Sequence, residues 1–492
     1  MEITLISVSG RLACDGSRLI SSLLKRAGHR VTNVYLARRE PEYELTELER
    51  LNEIFRNTGL VMLAVYSNYF GRAVRITNLI HQTFPGLKVV WGGPHCIATP
   101  ELSLKYADAV CFSEGDEAAV QLVNRLDAGT DYLDIPNMAF KVNGSYVINE
   151  VLPPFSDLDS LPYYDYGLDN QFLLDGELLP LTMDRIKAAT EQYPFYVPTM
   201  YFLTSRGCPH ECSYCNNCRY VAMFGKNIMR FYSVGRVIDE IKYTLTTLPF
   251  IKFIAFGDDD FLARPQKQIE DFAARYKKEI GIPFGVAASA RTYRTKKMEI
   301  LLDHGLIAFN MGIQSGSQRV ITEVYNRNIS LAQTSKVIKE IAPYSETRDL
   351  IIIVDFIIDN PYETRDDIMQ TYNFLLDLPP HFKPNLFFLS LYPGTPIYDR
   401  AKNDGLIKEF DEEIFRSYTR GVVRYQKNYE IFLVLLLRIA KLHPRLQKIP
   451  LWVFRLLGSN PVRKLASLLP DSIYEKGANA LQLQMAWRKK GK

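Results

Sequence analysis

The sequence predicts an α/β protein in three parts: a doubly wound, Rossmann-like N-terminal domain, a partial (β/α)6 barrel, and a helical basic tail. Strand-like and helix-like segments alternate over residues 1 to about 130 and again from about 199 to 410, which predicts the first two parts. The strand-like runs carry little polar alternation, as strands covered on both faces do. From Ile431 to Lys492, twelve Lys and Arg stand against Asp471 and Glu475 alone, which sets the third part off. A chain of 492 residues also exceeds what one core ordinarily supports. The expected boundaries are 1–150, a linker or insert at 151–198, the barrel at 199–410, and the tail at 411–492.

In the first part, "ITLISVSG", "HRVTNVYL", "GLVMLAVYS", "LKVVWGGP" and "ADAVCFSEG" read as five strands with helices between. A doubly wound sheet binds ligands outside its strand C-termini. "MAFKVNGSYVINE" (Met138 to Glu150) reads as a hairpin turning at Asn143-Gly144. "LPPFSDLDSLPYYDYGL" is a Pro-rich connector. The barrel units start at "MYFLTS", "IKFIAFGDDDF", "PFGVAASA", "GLIAFNMGIQSG", "RDLIIIVDFIID" and "LFFLSLYPGT". Helices are expected over Ser233 to Thr247, up to Ile280, up to His304, through Ile341, and over Thr364 to Leu378. In a barrel of this kind, functional groups gather at the strand C-terminal ends.

Composition excludes several classes. The hydrophobic fraction of 47% and charged fraction of 23% are a globular balance. A formal charge of +4 gives no reason to expect a nucleic-acid partner. Seven cysteines, with Cys14, Cys96 and Cys111 scattered, do not form a disulfide framework. "MEITLISVSG" lacks the basic and apolar regions of a signal peptide, and no apolar run approaches the roughly 18 residues needed to span a bilayer. A cytoplasmic location is the expectation.

The remaining four cysteines crowd into "SRGCPHECSYCNNC", Ser205 to Cys218. Gly, Pro, His, Glu and Asn surround them, which argues against core filling. A four-thiolate zinc site usually takes two separated pairs. An iron–sulfur cluster on C-x3-C-x2-C is the third reading.

Cys208-x3-Cys212-x2-Cys215, with Tyr214 before the last cysteine, resembles the signature of radical S-adenosylmethionine (SAM) enzymes. The resemblance implies that these three thiolates hold a 4Fe–4S cluster whose open iron takes the amino and carboxylate groups of SAM; Cys218 is then surplus. It extends to "FGDDDF", with Asp258 and Asp259 toward the ammonium of SAM, and to "SART", with Ser289 and Arg291 as SAM contacts. "GIQSGS" resembles the family's G-I-E-S-G-S, so Gln314 and Ser315 join the implied SAM site with Tyr214, although Gln314 replaces a glutamate. "IIDNPYET" matches the loop I-I-G-x-P-x-E-T except at Asp359, and "LYPGTPIYD" matches the closing segment.

"GGPHCIATPE" and "SEGDEA" resemble segments of the cobalamin-binding domains found in radical SAM enzymes. The resemblance implies cobalamin contacts at Ser67, Gly92, Gly93, His95 and Glu114. The D-x-H-x-x-G loop that supplies a cobalt-ligating histidine has no histidine here, where "SGRLACDGSR" stands. His95 is therefore expected at the cobalamin periphery.

The family resemblance implies a cobalamin-dependent radical SAM enzyme, with C-methyl transfer to an unactivated carbon through methylcobalamin and a 5′-deoxyadenosyl radical. Oxidative cyclisation, ring rearrangement or carbon–carbon coupling is the alternative within the class, and a non-catalytic cobalamin or metal sensor the one outside it. A small-molecule substrate and an external flavodoxin- or ferredoxin-type electron donor are implied. In the tail, "IFLVLLLRIAKL", Trp452 and Trp487 among basic residues suit helices lying on the inner face of a membrane, with a lipid-like substrate. A helical cap on the barrel with a solvated basic face fits equally well.

Overall fold

A computed structural model describes the whole chain except residues 10, 11, 13–15, 37, 39–41, 193–196, 227, 408–422, 444, 491 and 492, together with the side chains of 192 and 482–490. Half of the loop "SGRLACDGSR", including Cys14, and the Trp487 side chain lie outside the described residues.

The first sheet contains β1 (Glu2–Ser7), β2 (Arg30–Leu36), β3 (Leu60–Ala64), β4 (Lys88–Gly92) and β5 (Ala109–Cys111), all parallel. Next to β5 lies the antiparallel hairpin of β6 (Met138–Val142) and β7 (Ser145–Ile148). Asn143 and Gly144 sit at φ of 48° and 81°, the conformation that an Asn-Gly turn supplies. On the other side, β8 (Gln171–Asp175) pairs parallel with β2, and β9 (Glu177–Pro180) folds back on β8. The order is β7-β6-β5-β4-β3-β1-β2-β8-β9. Residues 171–180, expected in a linker or insert, thus extend the N-terminal sheet. Asp175-Gly176, with Gly176 at φ 78°, turns two apolar runs into a hairpin.

The second sheet opens with β10 (Glu191–Gln192), antiparallel to β11 (Val197–Phe202). A two-residue ribbon, β12 (Ser205–Arg206) with β13 (Arg230–Phe231), stands apart from it. The sheet continues with β14 (Phe253–Phe256), β15 (Phe284–Ala288), β16 (Leu306–Gln314), β17 (Ile351–Ile358) and β18 (Lys383–Phe388). From β11 to β18 its six strands run parallel in chain order, and no pair joins first to last among the described residues. This is an open half-barrel, which leaves one side of the lumen accessible to a second domain.

The tail departs from one expectation. Helix Tyr429–Leu442 buries Ile431, Leu433, Val434, Leu435 and Leu437 in the same apolar cluster as the barrel strands. The "IFLVLLL" run is therefore a cap on helix Arg365–Asp377, and its apolar face is already covered. Among the described residues no helix is long and apolar enough to cross a membrane.

Candidate functional site

The cysteine loop leaves the end of β11, and neighbouring elements fix its root. Asp258, just past β14, accepts from the Thr204 backbone N–H (3.0 Å), the Thr204 hydroxyl (3.1 Å) and the Ser205 hydroxyl. Gly207 has φ 93°, and a Cβ there would lie 2.6 Å from the Ile228 carbonyl oxygen, so only glycine fits. Farther along, Ser213 donates through its backbone N–H to the Tyr325 carbonyl (2.9 Å) and through its hydroxyl to that of Val324 (2.6 Å).

Cys212 is buried; Cys208, Cys215 and Cys218 are partly exposed. Burial pushes the Cys208 thiol up and those of Cys215 and Cys218 to about 12 and about 11, and nearby acidic groups and thiols add to each shift. Iron binding at such thiols releases protons. Among the described residues no group of three or more His, Cys, Asp or Glu converges on a single metal ion. A 4Fe–4S cluster asks for something else, because each thiolate takes a different iron. Buried polar atoms beside the loop fit an anionic guest. Arg327, within electrostatic reach of Cys212 and Cys208, has a buried Nε without a partner. Both ring nitrogens of His210 are buried without a partner, with Asp260 Oδ2 at 3.6 Å from Nε2.

The three aspartates divide their work. Asp258 fixes the loop root, while Asp260 accepts from Ser289 Oγ (2.7 Å) and Thr292 Oγ1 (2.5 Å). Asp259 alone turns toward the thiols, and its charge acts on both Cys208 and Cys215. Desolvation by the surrounding protein pushes its carboxyl up to about 6, against a hydrogen bond from Asn217. Gln314 ends β16 at φ 77°, a strained backbone for a residue with a side chain. A Cβ on Gly312 would lie 2.5 Å from Gln314 Nε2 and 3.3 Å from the Arg327 guanidinium, so that glycine admits both side chains. Arg327 Nη1 donates to Tyr214 Oη (3.3 Å), which joins the cysteine loop to this corner.

The other expected SAM contacts have partners within the fold. Ser289 is committed to Asp260, and Ser315 Oγ lies 3.2 Å from Thr371 Oγ1. Ser317 donates to Asp367 (2.6 Å), so "SGS" is tied to helix Arg365–Asp377. Arg291 is exposed and donates to the Pro209 carbonyl (3.3 Å). Asp359, where the family loop has glycine, keeps the backbone form glycine favours, at φ 61°. Its buried carboxylate accepts from the backbone N–H groups of Arg424 (2.6 Å), Tyr425 (2.8 Å) and Gln426 (2.7 Å). Gln426 Nε2 completes the latch on the carbonyls of Asn360 (2.8 Å) and Glu363 (2.9 Å). Deeper between the strands, Asn385 Nδ2 donates to Asp355 (3.1 Å), beside Asn310, whose Oδ1 is buried without a partner.

On the first sheet, Gly93 adopts φ 99°, and a Cβ there would stand 3.0 Å from the Val65 carbonyl oxygen. His95 is fully buried, with Nδ1 3.0 Å from Ser67 Oγ and Nε2 3.2 Å from Thr99 Oγ1. Burial pushes its pKa down to about 3, so it is neutral and holds the glycine turn from below. Glu114 accepts from Arg230 at 2.9 and 2.7 Å and from the Phe155 N–H at 2.7 Å. Each of these side chains has a partner within the protein. Ser113 Oγ, just past β5, is buried without a partner, which suits a guest above the strand ends.

Several contacts press the two C-terminal edges together. Arg206 reaches Asp116, and Asn216 Nδ2 lies 3.4 Å from the Pro94 carbonyl. Gly394 at φ 76° lies so near Ala98 that a Cβ would be 2.4 Å from its carbonyl oxygen. The cysteine loop and the "GGPH" loop thus share one interface. Arg206, Asp116, Arg230, Arg327, Asp355 and Asn310 escaped sequence reasoning. Arg206, Asp116, Asn310 and Asp355 lie inside quoted segments and Arg230 and Arg327 outside them, but only the partner across the fold shows their use. A cavity of about 620 Å³ bounded by Ile338, Phe374 and His381 is lined by none of these residues.

A family model described as the radical SAM superfamily matches residues 202–375, and one described as a B12 binding domain matches residues 2–123. A Pyrococcus horikoshii protein named an uncharacterized methyltransferase is 31% identical over 67% of this chain and 66% of its own length. The anaerobic magnesium-protoporphyrin IX monomethyl ester cyclase of Cereibacter sphaeroides is 23% identical over 71% of this chain and 53% of its own. The chain thus spans between half and two thirds of the length of these curated relatives. Among solved structures, the radical SAM methyltransferase TsrM from Kitasatospora setae aligns over 82% of this chain and 76% of its own with a TM-score of 0.64. At 16% identity that likeness concerns the fold.

Proposed function

Because the chain belongs to the radical SAM enzymes that carry a B12-binding domain ahead of the barrel, we propose that it is a cobalamin-dependent C-methyltransferase acting on an unactivated carbon. The observation that carries this reading is the juxtaposition of the cysteine loop with the "GGPH" loop across one interface. When bound, the cluster with SAM supplies one-electron bond cleavage and cobalamin supplies a methyl carrier.

The chain's own residues supply position and charge. Cys208, Cys212 and Cys215 would hold the cluster, with Cys218 a neighbour. Asp259 would take the ammonium of SAM, with Gln314, Arg327 and Tyr214 as the wall beside it. Asp258, Ser289 and Ser315 keep that wall in place, and Arg291 steadies the loop through Pro209. On the first sheet Gly92 and Gly93 would admit cobalamin close to their backbone, with Ser67, His95 and Glu114 holding the loops beside it. Asp359, just past β17, holds the 424–426 strap at the C-terminal end of that strand. Asn310, Asp355 and Asn385 offer polar groups to orient the substrate.

A flavodoxin- or ferredoxin-type protein donates the electron in this reading. The location is cytoplasmic with peripheral membrane contact through the tail, and the substrate is a small, lipid-like molecule.

The test is anaerobic incubation of reconstituted full-length protein with SAM, reductant and metabolite extract. Release of 5′-deoxyadenosine together with a product heavier by one methylene is expected. 5′-Deoxyadenosine with a product that has lost hydrogen would favour the cyclase reading, for which the Cereibacter relative is the precedent. A loaded protein that never cleaves SAM would leave only the sensor reading.

A further inference from the structure

We propose that residues 451–476 form a docking surface for an anionic lipid bilayer, distinct from the helix Tyr429–Leu442 that caps the barrel. The proposal deepens the peripheral-contact part of the reading above and is independent of its chemistry.

Helices Asn460–Ala466 and Asp471–Lys490 pack on helix Tyr429–Leu442, and helix Leu451–Leu457 is tied to it by Tyr429 Oη on the Leu457 carbonyl (3.0 Å). Their inward side is settled: Phe454, Ala466, Tyr474 and Ala478 are buried, and Tyr372 donates to the Phe454 carbonyl (2.7 Å). Arg463 faces inward to Glu430 (3.1 Å) and Asp366 (3.3 Å). The outward side should then be polar, and it is not. Trp452 is 65% exposed, Leu465 67% and Leu468 79%. Leu451, Leu456, Leu469 and Ile473 are exposed beside them. These seven are half of the exposed large apolar side chains on the described surface, and they fall within 23 consecutive positions. Scattered apolar residues need no explanation; a concentration does.

The charge around the patch selects the occupant. Arg445, Lys448, Lys464 and Lys476 are exposed and form no ion pair among the described residues. Short helices that expose Leu and Trp between unpaired basic side chains fit the headgroup boundary of an acidic membrane. There the apolar groups leave water and the ammonium and guanidinium groups remain at phosphate level. A protein partner would also have to match this ring of unpaired positive charge.

The test is flotation of the full-length chain with vesicles of phosphatidylcholine and phosphatidylglycerol in equal parts, against phosphatidylcholine alone. The protein is expected to float with the mixed vesicles at low salt and to be largely released as salt rises. Trp452→Ser with Leu456→Ser, and separately Leu465→Ser with Leu468→Ser, should each reduce flotation roughly tenfold while leaving thermal unfolding unchanged. Lys448→Glu with Lys464→Glu should abolish the preference for the acidic lipid. A wild-type chain that stays at the bottom, or serine variants that float equally well, would overturn the proposal. So would a concentration-dependent dimer in sedimentation that the leucine variants dissociate, because the face would then join two copies. Flotation needs no cofactor, so its outcome is separate from that of the SAM-cleavage assay.

Discussion

The guanidinium of Arg206 forks onto the carboxylate of Asp116 with contacts of 2.7 and 2.8 Å. The first residue roots the cysteine loop and the second lies on the loop after β5, so the pair joins the two cofactor domains. Both side chains are largely buried, and neither can return to water without opening the interface. Arg206→Ala leaves Asp116 charged and unpaired, and should weaken domain docking by about 3 kcal/mol. Limited proteolysis of the 151–170 connector should accelerate accordingly. Replacing both residues by Met and Leu should restore much of the loss, and no recovery in that double variant would show the pair is not coupled.

Cluster content separates the thiols. Anaerobically reconstituted protein should carry about four irons per chain. Cys208→Ala, Cys212→Ala and Cys215→Ala should each lose the cluster absorbance and SAM cleavage. Cys218→Ala should keep both. Loss of iron in Cys218→Ala with retention in Cys208→Ala would reassign the ligands.

Asp367 ties the acid limb of stability to the "SGS" loop. Burial works against its charge, but Arg319, the Ser317 hydroxyl and Thr364 together hold its carboxyl well below the usual carboxylate range. A depressed carboxylate stabilises the fold fully above its unfolded value, near 4, and that contribution disappears as pH falls below it. Asp367→Asn should therefore cost about 2 kcal/mol near pH 7, and the gap to wild type should narrow as pH drops from about 4 toward 2. Melting curves across that range decide it; a constant gap would mean the loss is one of shape alone.

Asp359→Gly restores the residue of the family loop and frees three amides of their acceptor. Glycine relieves the backbone, but the charge-assisted hydrogen bonds are lost. Hydrogen exchange at Arg424, Tyr425 and Gln426 should speed up roughly tenfold, while amides within β17 stay protected. Unchanged exchange at the three amides would mean packing of Tyr425 alone holds the strap.

Much of this architecture was legible because it depends on period and spacing. The β/α alternation, the Asn143-Gly144 hairpin, the helix from about Ser233 and the order of the barrel segments are local properties of the chain. The 171–180 hairpin was equally local, at Asp175-Gly176, but its place beside β2 depends on pairing across more than 130 residues. The site was legible by motif, not by orientation. Three adjacent aspartates look alike in sequence; in the fold one fixes the loop, one binds Ser289 and one faces the thiols. His95 and Glu114 match a ligand-binding pattern, and their partners Ser67 and Arg230 are visible only in the fold. The "IFLVLLL" run has the composition of either a membrane-facing or a core helix, and only the neighbouring strands settle which.

The strap also bears on inheritance. A carboxylate at 359 and the backbone at 424–426 are useful only together, because each would strand buried polar groups without the other. Barrel and tail therefore cannot be shuffled as independent cassettes. A chimera that keeps this barrel but takes its last 80 or so residues from a relative with glycine at that loop should express poorly, unless position 359 is exchanged in the same step.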